Sequence, residues 1–276
     1  MKAVCPICPH HCALEPGQKG LCRARENVDG AVSCVNYGRL TAIALDPIEK
    51  KPLRRFYPGR FILSVGSFGC NLRCPFCQNS DISMKGGEAR TVTVSPEALV
   101  SEAEALAGKA PGNLGVAFTY NEPLVGYEYV RDCAQLLRDA GLKTVLVTNG
   151  MICEAPLSAL LPLVDAMNID LKAFHRRYYD WIGGDLETVK RTIERSAAEC
   201  HVEVTTLIVP GENDGEDEME AEAAWLASID PSVPLHISRF FPRYNVLDRG
   251  PTPVETVRRL CGVAETHLRY VYAGNC

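Results

Sequence analysis

The chain has 276 residues, 46% of them apolar and 23% charged, a balance that supports a packed core and excludes disorder, collagen and coiled coil. Its 29 Lys and Arg against 34 Asp and Glu leave a net charge of -5, which gives no global reason to expect a nucleic acid or an anionic membrane as partner. No apolar signal core opens the sequence, and no uncharged run approaches the roughly 18 to 20 residues of a membrane span, so a cytoplasmic protein with reduced thiols is expected. Thirteen cysteines, an odd number in a chain too long to need staples, argue against a disulfide framework and for metal.

Eight of the thirteen lie between Cys5 and Cys77, so metal chemistry is expected in the N-terminal third. Residues 1 to 60 carry Pro and Gly punctuation without a long periodic stretch and read as a small Cys-rich appendage. Within it Cys5, Cys8, Cys12, Cys22 and Cys34, with His10 and His11, offer more ligands than one site needs. A second iron-sulfur cluster, a zinc knot and unligated thiols all fit that spacing. Lys50, Lys51, Arg54, Arg55 and Arg60 then form a basic cluster, read either as a solvated linker or as a docking surface for an acidic protein.

From Phe61 the pattern changes to short β-rich runs alternating with helical segments, the signature of repeated βα units around a parallel sheet. The expected strands are 61 to 66, 114 to 120, 143 to 148, 166 to 172, 201 to 209 and 235 to 240, with a last short run at 268 to 273. Ser95, Pro96 and Glu97 predict a helix start and a span of 96 to 107. Val130, Cys133, Ala134 and Leu137 recur at helical spacing, and Gly141 ends that helix. The expected fold is a partial (β/α)6 TIM-like barrel over residues 61 to 276, preceded by the appendage.

Directly after the first strand comes Gly69-Cys70-Asn71-Leu72-Arg73-Cys74-Pro75-Phe76-Cys77-Gln78-Asn79, with thiols spaced C-x3-C-x2-C. Loops at strand C-termini form the active face of a parallel barrel, so this one carries three soft ligands to where substrates bind. Three cysteines satisfy three irons of a cubane and leave the fourth open to a small chelating molecule. Structural zinc, which normally wants four protein ligands, is the alternative. Farther along, strand alternation places Asn168, Asp170 and Lys172 on one face, where burial demands partners; an internal ion pair is the simpler explanation of the charges. Glu122, in Thr119-Tyr120-Asn121-Glu122-Pro123, offers a carboxylate after the second strand, with helix capping as its competing role. His236 and Ser238 share a face of the sixth strand, and a lone histidine there is more often structural.

The triplet, with an aromatic before its last cysteine, resembles the motif of the radical S-adenosylmethionine superfamily at Cys70, Cys74, Phe76 and Cys77. The resemblance implies a 4Fe-4S cluster on Cys70, Cys74 and Cys77, with S-adenosylmethionine chelated by its open iron. It further implies reductive cleavage to a 5'-deoxyadenosyl radical that abstracts hydrogen. Phe76 would then pack near the adenine. Asp170-Leu171-Lys172 resembles a segment of glycyl-radical-enzyme activating enzymes that helps hold the cofactor. Asn121 and Glu122 occupy the place of the superfamily's Gly-Gly-Glu motif, although Tyr120 and Asn121 stand where two glycines are usual. His236 corresponds to a cofactor-site histidine of those enzymes.

Cys5-Pro6-Ile7-Cys8-Pro9-His10-His11-Cys12 and Asp46-Pro47-Ile48-Glu49-Lys50-Lys51-Pro52-Leu53 resemble the AmmeMemoRadiSam-type radical enzymes, relatives of pyruvate formate-lyase activating enzyme. An electron donor such as flavodoxin or ferredoxin is implied. The hydrogen donor would be a glycine of a glycyl radical enzyme, another protein or a small molecule. The rival expectation is a non-catalytic iron-sulfur electron carrier or a zinc-stabilised binding module using the same thiols.

Overall fold

A computed structural model describes all residues 1–276. The N-terminal third contributes short antiparallel pairs: β1 (Ala3–Val4) with β2 (Ala13–Leu14), and β3 (Arg25–Val28) with β4 (Ala31–Cys34). β5 (Arg39–Leu40) reaches forward to pair with β8 (Val92–Thr93). These pairs bury few apolar side chains of their own and lean on the larger unit.

That unit is an eight-stranded sheet formed by β6 (Ala42–Pro47), β7 (Phe61–Gly66), β9 (Gly115–Phe118), β10 (Lys143–Thr148), β11 (Ala166–Asp170), β12 (His201–Ile208), β13 (Leu235–Arg239) and β14 (Val271–Gly274). They lie side by side in chain order; β6 runs antiparallel to β7, every other pair is parallel, and β6 and β14 are the edge strands, which do not pair with each other. The expected α/β architecture is therefore present as an open, mainly parallel sheet. It starts earlier than the boundary expected at residue 60, because β6 pairs with β7 along its whole length. The last strand begins at Val271, three residues later than expected, after Leu268 has been buried beneath it.

The helices that cover the sheet are α2 (Pro96–Ala107), α3 (Tyr127–Asp139), α4 (Glu154–Leu160), α5 (Arg176–Ile182), α6 (Leu186–Ala197), α7 (Glu216–Ile229) and α8 (Val254–Ala264), while α1 (Ser80–Ser83) is a single turn after the cysteine loop. Helix α2 starts as its sequence predicts: the Ser95 hydroxyl accepts from the Ala98 N–H at 3.2 Å, with Pro96 at the first helical position. Helix α3 buries Val130, Cys133, Ala134 and Leu137 on one stripe. No helix is long and apolar enough to cross a membrane.

Residues 48 to 56 do not run free as a solvated linker. Ile48, Leu53 and Phe56 are buried against Ile62, Leu114, Ala117, Val145 and Ala166, the starts of four neighbouring strands. Farther round, the backbone N–H groups of Arg54 and Arg55 donate to Glu203 on β12 at 2.9 and 2.7 Å, and the two guanidiniums lie over the rings of Tyr272 and Tyr270. One short segment thus touches strands from β7 to β14, which requires the sheet to curl around it. Lys51, expected in a solvated basic cluster, is buried and paired with Asp46 at 2.9 Å. Burial opposes the ionised Asp46 carboxyl, but hydrogen bonds from Lys51, Tyr120 and Lys50 win and hold it well below the usual carboxylate range.

Glu203 is the most demanding interior group. It is fully buried and accepts from two backbone N–H groups and from His201 and His236, the latter at 2.6 Å. Burial pushes its carboxyl up, but these donors outweigh it and bring it down to about 2. A carboxyl held below its unfolded value stabilises the fold fully above about 4.5, and that contribution is lost as pH falls toward 2. Glu203→Gln is expected to lower the unfolding free energy on the order of 2–3 kcal/mol at pH 7. Denaturant titrations should show the gap between wild type and variant narrowing below pH 4.5.

Candidate active site

The cysteine loop leaves the C-terminal end of β7, and its path depends on Gly69. That residue has φ of +90°, and a Cβ there would stand 2.4 Å from the Cys22 carbonyl oxygen. The loop is therefore pressed against the appendage on one side. On the other, the Arg73 N–H donates to the Ile182 carbonyl at 2.8 Å and the Asn245 N–H to that of Pro75 at 2.8 Å.

Cys70 and Cys77 are half-buried and Cys74 is buried. Burial pushes the Cys74 thiol up to about 12; the Lys172 charge opposes this, while Cys77 and Asp170 add to it. The Cys70 thiol is also raised, by burial first and then by the charges of Glu122 and Cys74. Thiols this enclosed and this close carry negative charge together only when a metal centre neutralises them. The three thiols share one loop and lie within reach of one another's charge, Cys74 and Cys77 acting on Cys70 and Cys77 on Cys74. A cubane spreads its cysteine ligands over separate corners, so it fits such a donor set.

The loop after β9 supplies Glu122, which is buried and holds its place through three donors. The Leu124 N–H and Thr148 hydroxyl donate to Oε1 at 2.9 and 2.7 Å, and the Asn149 N–H donates to Oε2 at 2.8 Å. Burial raises the Glu122 carboxyl to about 7 against these donors. The competing capping role is thus present, because the Glu122 side chain accepts at the start of the short turn Pro123–Gly126. Asn121 does a different job. Its Oδ1 accepts from the Ser67 N–H at 2.8 Å and its Nδ2 donates to the Gly69 carbonyl at 3.0 Å, so it shapes the entry to the cysteine loop.

Tyr120, where a glycine is usual, takes the left-handed conformation with φ of +71°. Its hydroxyl donates to Asp46 at 2.7 Å and its ring lies 4.7 Å from the Lys51 ammonium, which draws it into the barrel interior and away from the thiols. Its carbonyl accepts from Asn79 Nδ2 at 2.6 Å, just beyond the cysteine loop.

Asp170 ends β11, and the Lys172 ammonium donates to it at 2.8 Å, the ion pair that strand alternation had offered as the simpler explanation. The pair also faces the loop, because the charges of both residues act on Cys74. Phe76 is buried among Tyr178, Trp181 and Phe240, with ring centroids 6.1, 5.5 and 6.5 Å away. The Tyr178 hydroxyl in this cage is buried without any hydrogen-bond partner and lies within electrostatic reach of Cys74. An orphaned donor beside an aromatic cage leaves one buried polar contact unfilled.

His236 is not brought to this face. It sits second in β13, bonded to Glu203 and 5.2 Å from the Tyr272 ring, with the segment that closes the opposite end of the sheet. Alternation along the strand put it in the interior but not at a height. Arg54, Arg55 and Arg60 are exposed at that same far end, about 20 Å from the thiols by the length of the six-residue strand β7.

Asn149 is the site residue that the sequence reading missed. Its Nδ2 donates to Cys70 Sγ at 3.6 Å and to Asn71 Oδ1 at 2.9 Å, while its own N–H holds Glu122. The available signal was Thr148-Asn149-Gly150 immediately after the third parallel strand, a position equivalent to that of Glu122.

The sequence profile of the radical SAM superfamily matches residues 64–224. The chain is 40% identical to an uncharacterised protein of Methanocaldococcus jannaschii over 99% of its own length and 81% of that protein's. It is 29% identical to the pyruvate formate-lyase 1-activating enzyme of Escherichia coli strain K12, over 54% of this chain and 61% of that enzyme. A crystal structure of a radical SAM methyltransferase from Sphaerobacter thermophilus shares the fold with a TM-score of 0.59 at 17% identity, over 79% of this chain and 67% of the other. A cysteine triplet at the C-terminal edge of a parallel sheet, in a chain matched by that profile across more than half its length, sets aside the non-catalytic carrier: the chain belongs to the radical SAM superfamily and is an enzyme of that class.

Proposed function

We propose that this chain reductively cleaves S-adenosylmethionine and abstracts a hydrogen atom from a glycine of a partner protein. The observation that carries the first part is the convergence of Cys70, Cys74 and Cys77 with Glu122, Asn149 and the Asp170–Lys172 pair at one edge of the sheet. The likeness to the pyruvate formate-lyase activating enzyme supports the second.

In this reading the three thiolates hold the 4Fe-4S cluster. Cluster and S-adenosylmethionine together would supply a single electron and a 5'-deoxyadenosyl radical. The chain's own groups do the positioning. Asn149 directs an amide N–H at Cys70 Sγ and so withdraws charge from that sulfur. Lys172 keeps an ammonium beside Cys74, and Asp170 holds it there. Phe76, Tyr178 and Trp181 form an aromatic wall suited to a flat ring, with the Tyr178 hydroxyl free to bond it. Asn121 keeps Gly69 in place, and with it the approach of the loop to the appendage. The electron donor is a low-potential protein such as flavodoxin or ferredoxin, docking on the cysteine face. By the same reading the unit expected over residues 61 to 276, extended at its start by β6, forms the catalytic domain.

Anaerobically reconstituted protein, reduced in the presence of S-adenosylmethionine, should release 5'-deoxyadenosine, and Cys74→Ala should reduce that release to the background of the reductant alone. Equal release from both proteins would end the proposal. Hydrogen bonds to cluster sulfurs raise reduction potential, so Asn149→Ala is expected to lower the midpoint potential of the triplet cluster in an EPR-monitored titration. Because Arg54 and Arg55 lie at the far end of the sheet, their joint replacement by Gln should leave the rate of reduction by flavodoxin unchanged in stopped-flow measurements.

A further inference from the structure

The appendage brings four of its five cysteines together. The β1–β2 pairing places the Cys5 N–H against the Cys12 carbonyl at 3.0 Å, and the turn between them is closed by the His11 N–H on the Cys8 carbonyl at 3.1 Å. A second turn, in which the Gly20 N–H donates to the Arg25 carbonyl and the Arg23 N–H to that of Gly20, swings Cys22 alongside. A Cβ built on Gly20 would be 3.7 Å from both Cys12 Sγ and Cys22 Sγ. Cys5, Cys8, Cys12 and Cys22 line one small cavity, and all four are free thiols.

The other polar groups on that cavity are His10, Arg25 and Asn71, so it offers soft ligands and no carboxylate. Arg25 is 3% exposed; its two terminal nitrogens bind Glu128, and its buried Nε has no partner. An unpaired cationic donor beside four thiols favours an anionic tetrathiolate centre. His10 turns its Nε2 to the Asn71 carbonyl, to which it donates at 2.8 Å. Cys34 lies off the cavity with its thiol on Asn36 Oδ1 at 3.0 Å, and His11 faces Cys153.

We propose that Cys5, Cys8, Cys12 and Cys22 are the four ligands of a second iron-sulfur cluster, distinct from the one on the Cys70 triplet. The four thiols line one cavity and lie close enough to act on one another, Cys5 and Cys22 on Cys8 and Cys5 and Cys12 on Cys22, and an all-thiolate set without carboxylate is the donor set of a four-iron cluster. Ligation also gives the appendage the cohesion that its thin apolar content does not. Asn71 lines this cavity and directly follows Cys70, so the two thiol groups flank one residue.

The test counts iron in a chain from which the triplet has been removed, and so does not depend on the catalytic reading. The full chain carrying Cys70→Ala, Cys74→Ala and Cys77→Ala, reconstituted anaerobically with iron and sulfide, should retain about four irons and four sulfides with an iron-sulfur EPR signal after reduction. Adding Cys8→Ser and Cys22→Ser should remove both iron and signal, whereas adding Cys34→Ser should change neither. Wild-type protein, which needs no altered residue to fold, should carry about eight irons. No iron or one zinc in the triplet-free chain, or iron that survives loss of Cys8 and Cys22, would each overturn the assignment.

Discussion

A buried carboxylate organises the active edge. Glu122 can stay inside the protein only because it accepts from Leu124, Thr148 and Asn149, and those donors come from its own turn and from the end of β10. Donors from two loops meet on this one side chain, so it joins the loops that follow β9 and β10. Asn149 is consequently held with its amide toward Cys70 and Asn71. Asn71 in turn donates to the Met151 carbonyl at 2.8 Å, which completes a floor under the cysteine loop. The geometry of the thiols thus rests on a polar network that is satisfied only when adjacent parallel strands are in register.

The two ends of the sheet solve opposite problems. At the N-terminal end the curled strands would leave a hole, and the segment from Ile48 to Phe56 fills it with apolar side chains while Glu203 takes up its backbone N–H groups. At the other end the interior remains polar and close to the surface, with Asp170, Lys172 and the thiols together. A sealed base lets the open face keep costly ionisable groups without losing the fold. The appendage belongs to the open end as well, because Gly69 permits contact with Cys22 and Asn36 Nδ2 donates to the Phe68 carbonyl at 3.0 Å.

Much of this was legible in the chain because local rules govern it. The strands and α2 followed from alternation and capping, and the triplet announced itself by spacing and by standing directly after a strand. The errors share a cause. Lys51 and its neighbours read as a solvated linker, since five basic residues in eleven carry no local sign that Asp46, Tyr272 and Tyr270 await them. His236 lies on the face of its strand that alternation assigned, but its partner there is Glu203, because period two encodes a side and never a contact with another strand.

The sequence by itself determined the alternation of strands and helices, the C-x3-C-x2-C spacing of Cys70, Cys74 and Cys77 after a strand, and the family to which they point, because each of these depends on residues adjacent in the chain. Tertiary structure alone decided that β6 joins the sheet, that residues 48 to 56 close its base, and that Asn149 reaches Cys70 across 79 positions. It also separated Cys34 from the other four cysteines of the appendage. Those outcomes turn on which buried polar groups find partners, and a partner distant in sequence is specified only once the strands have come together.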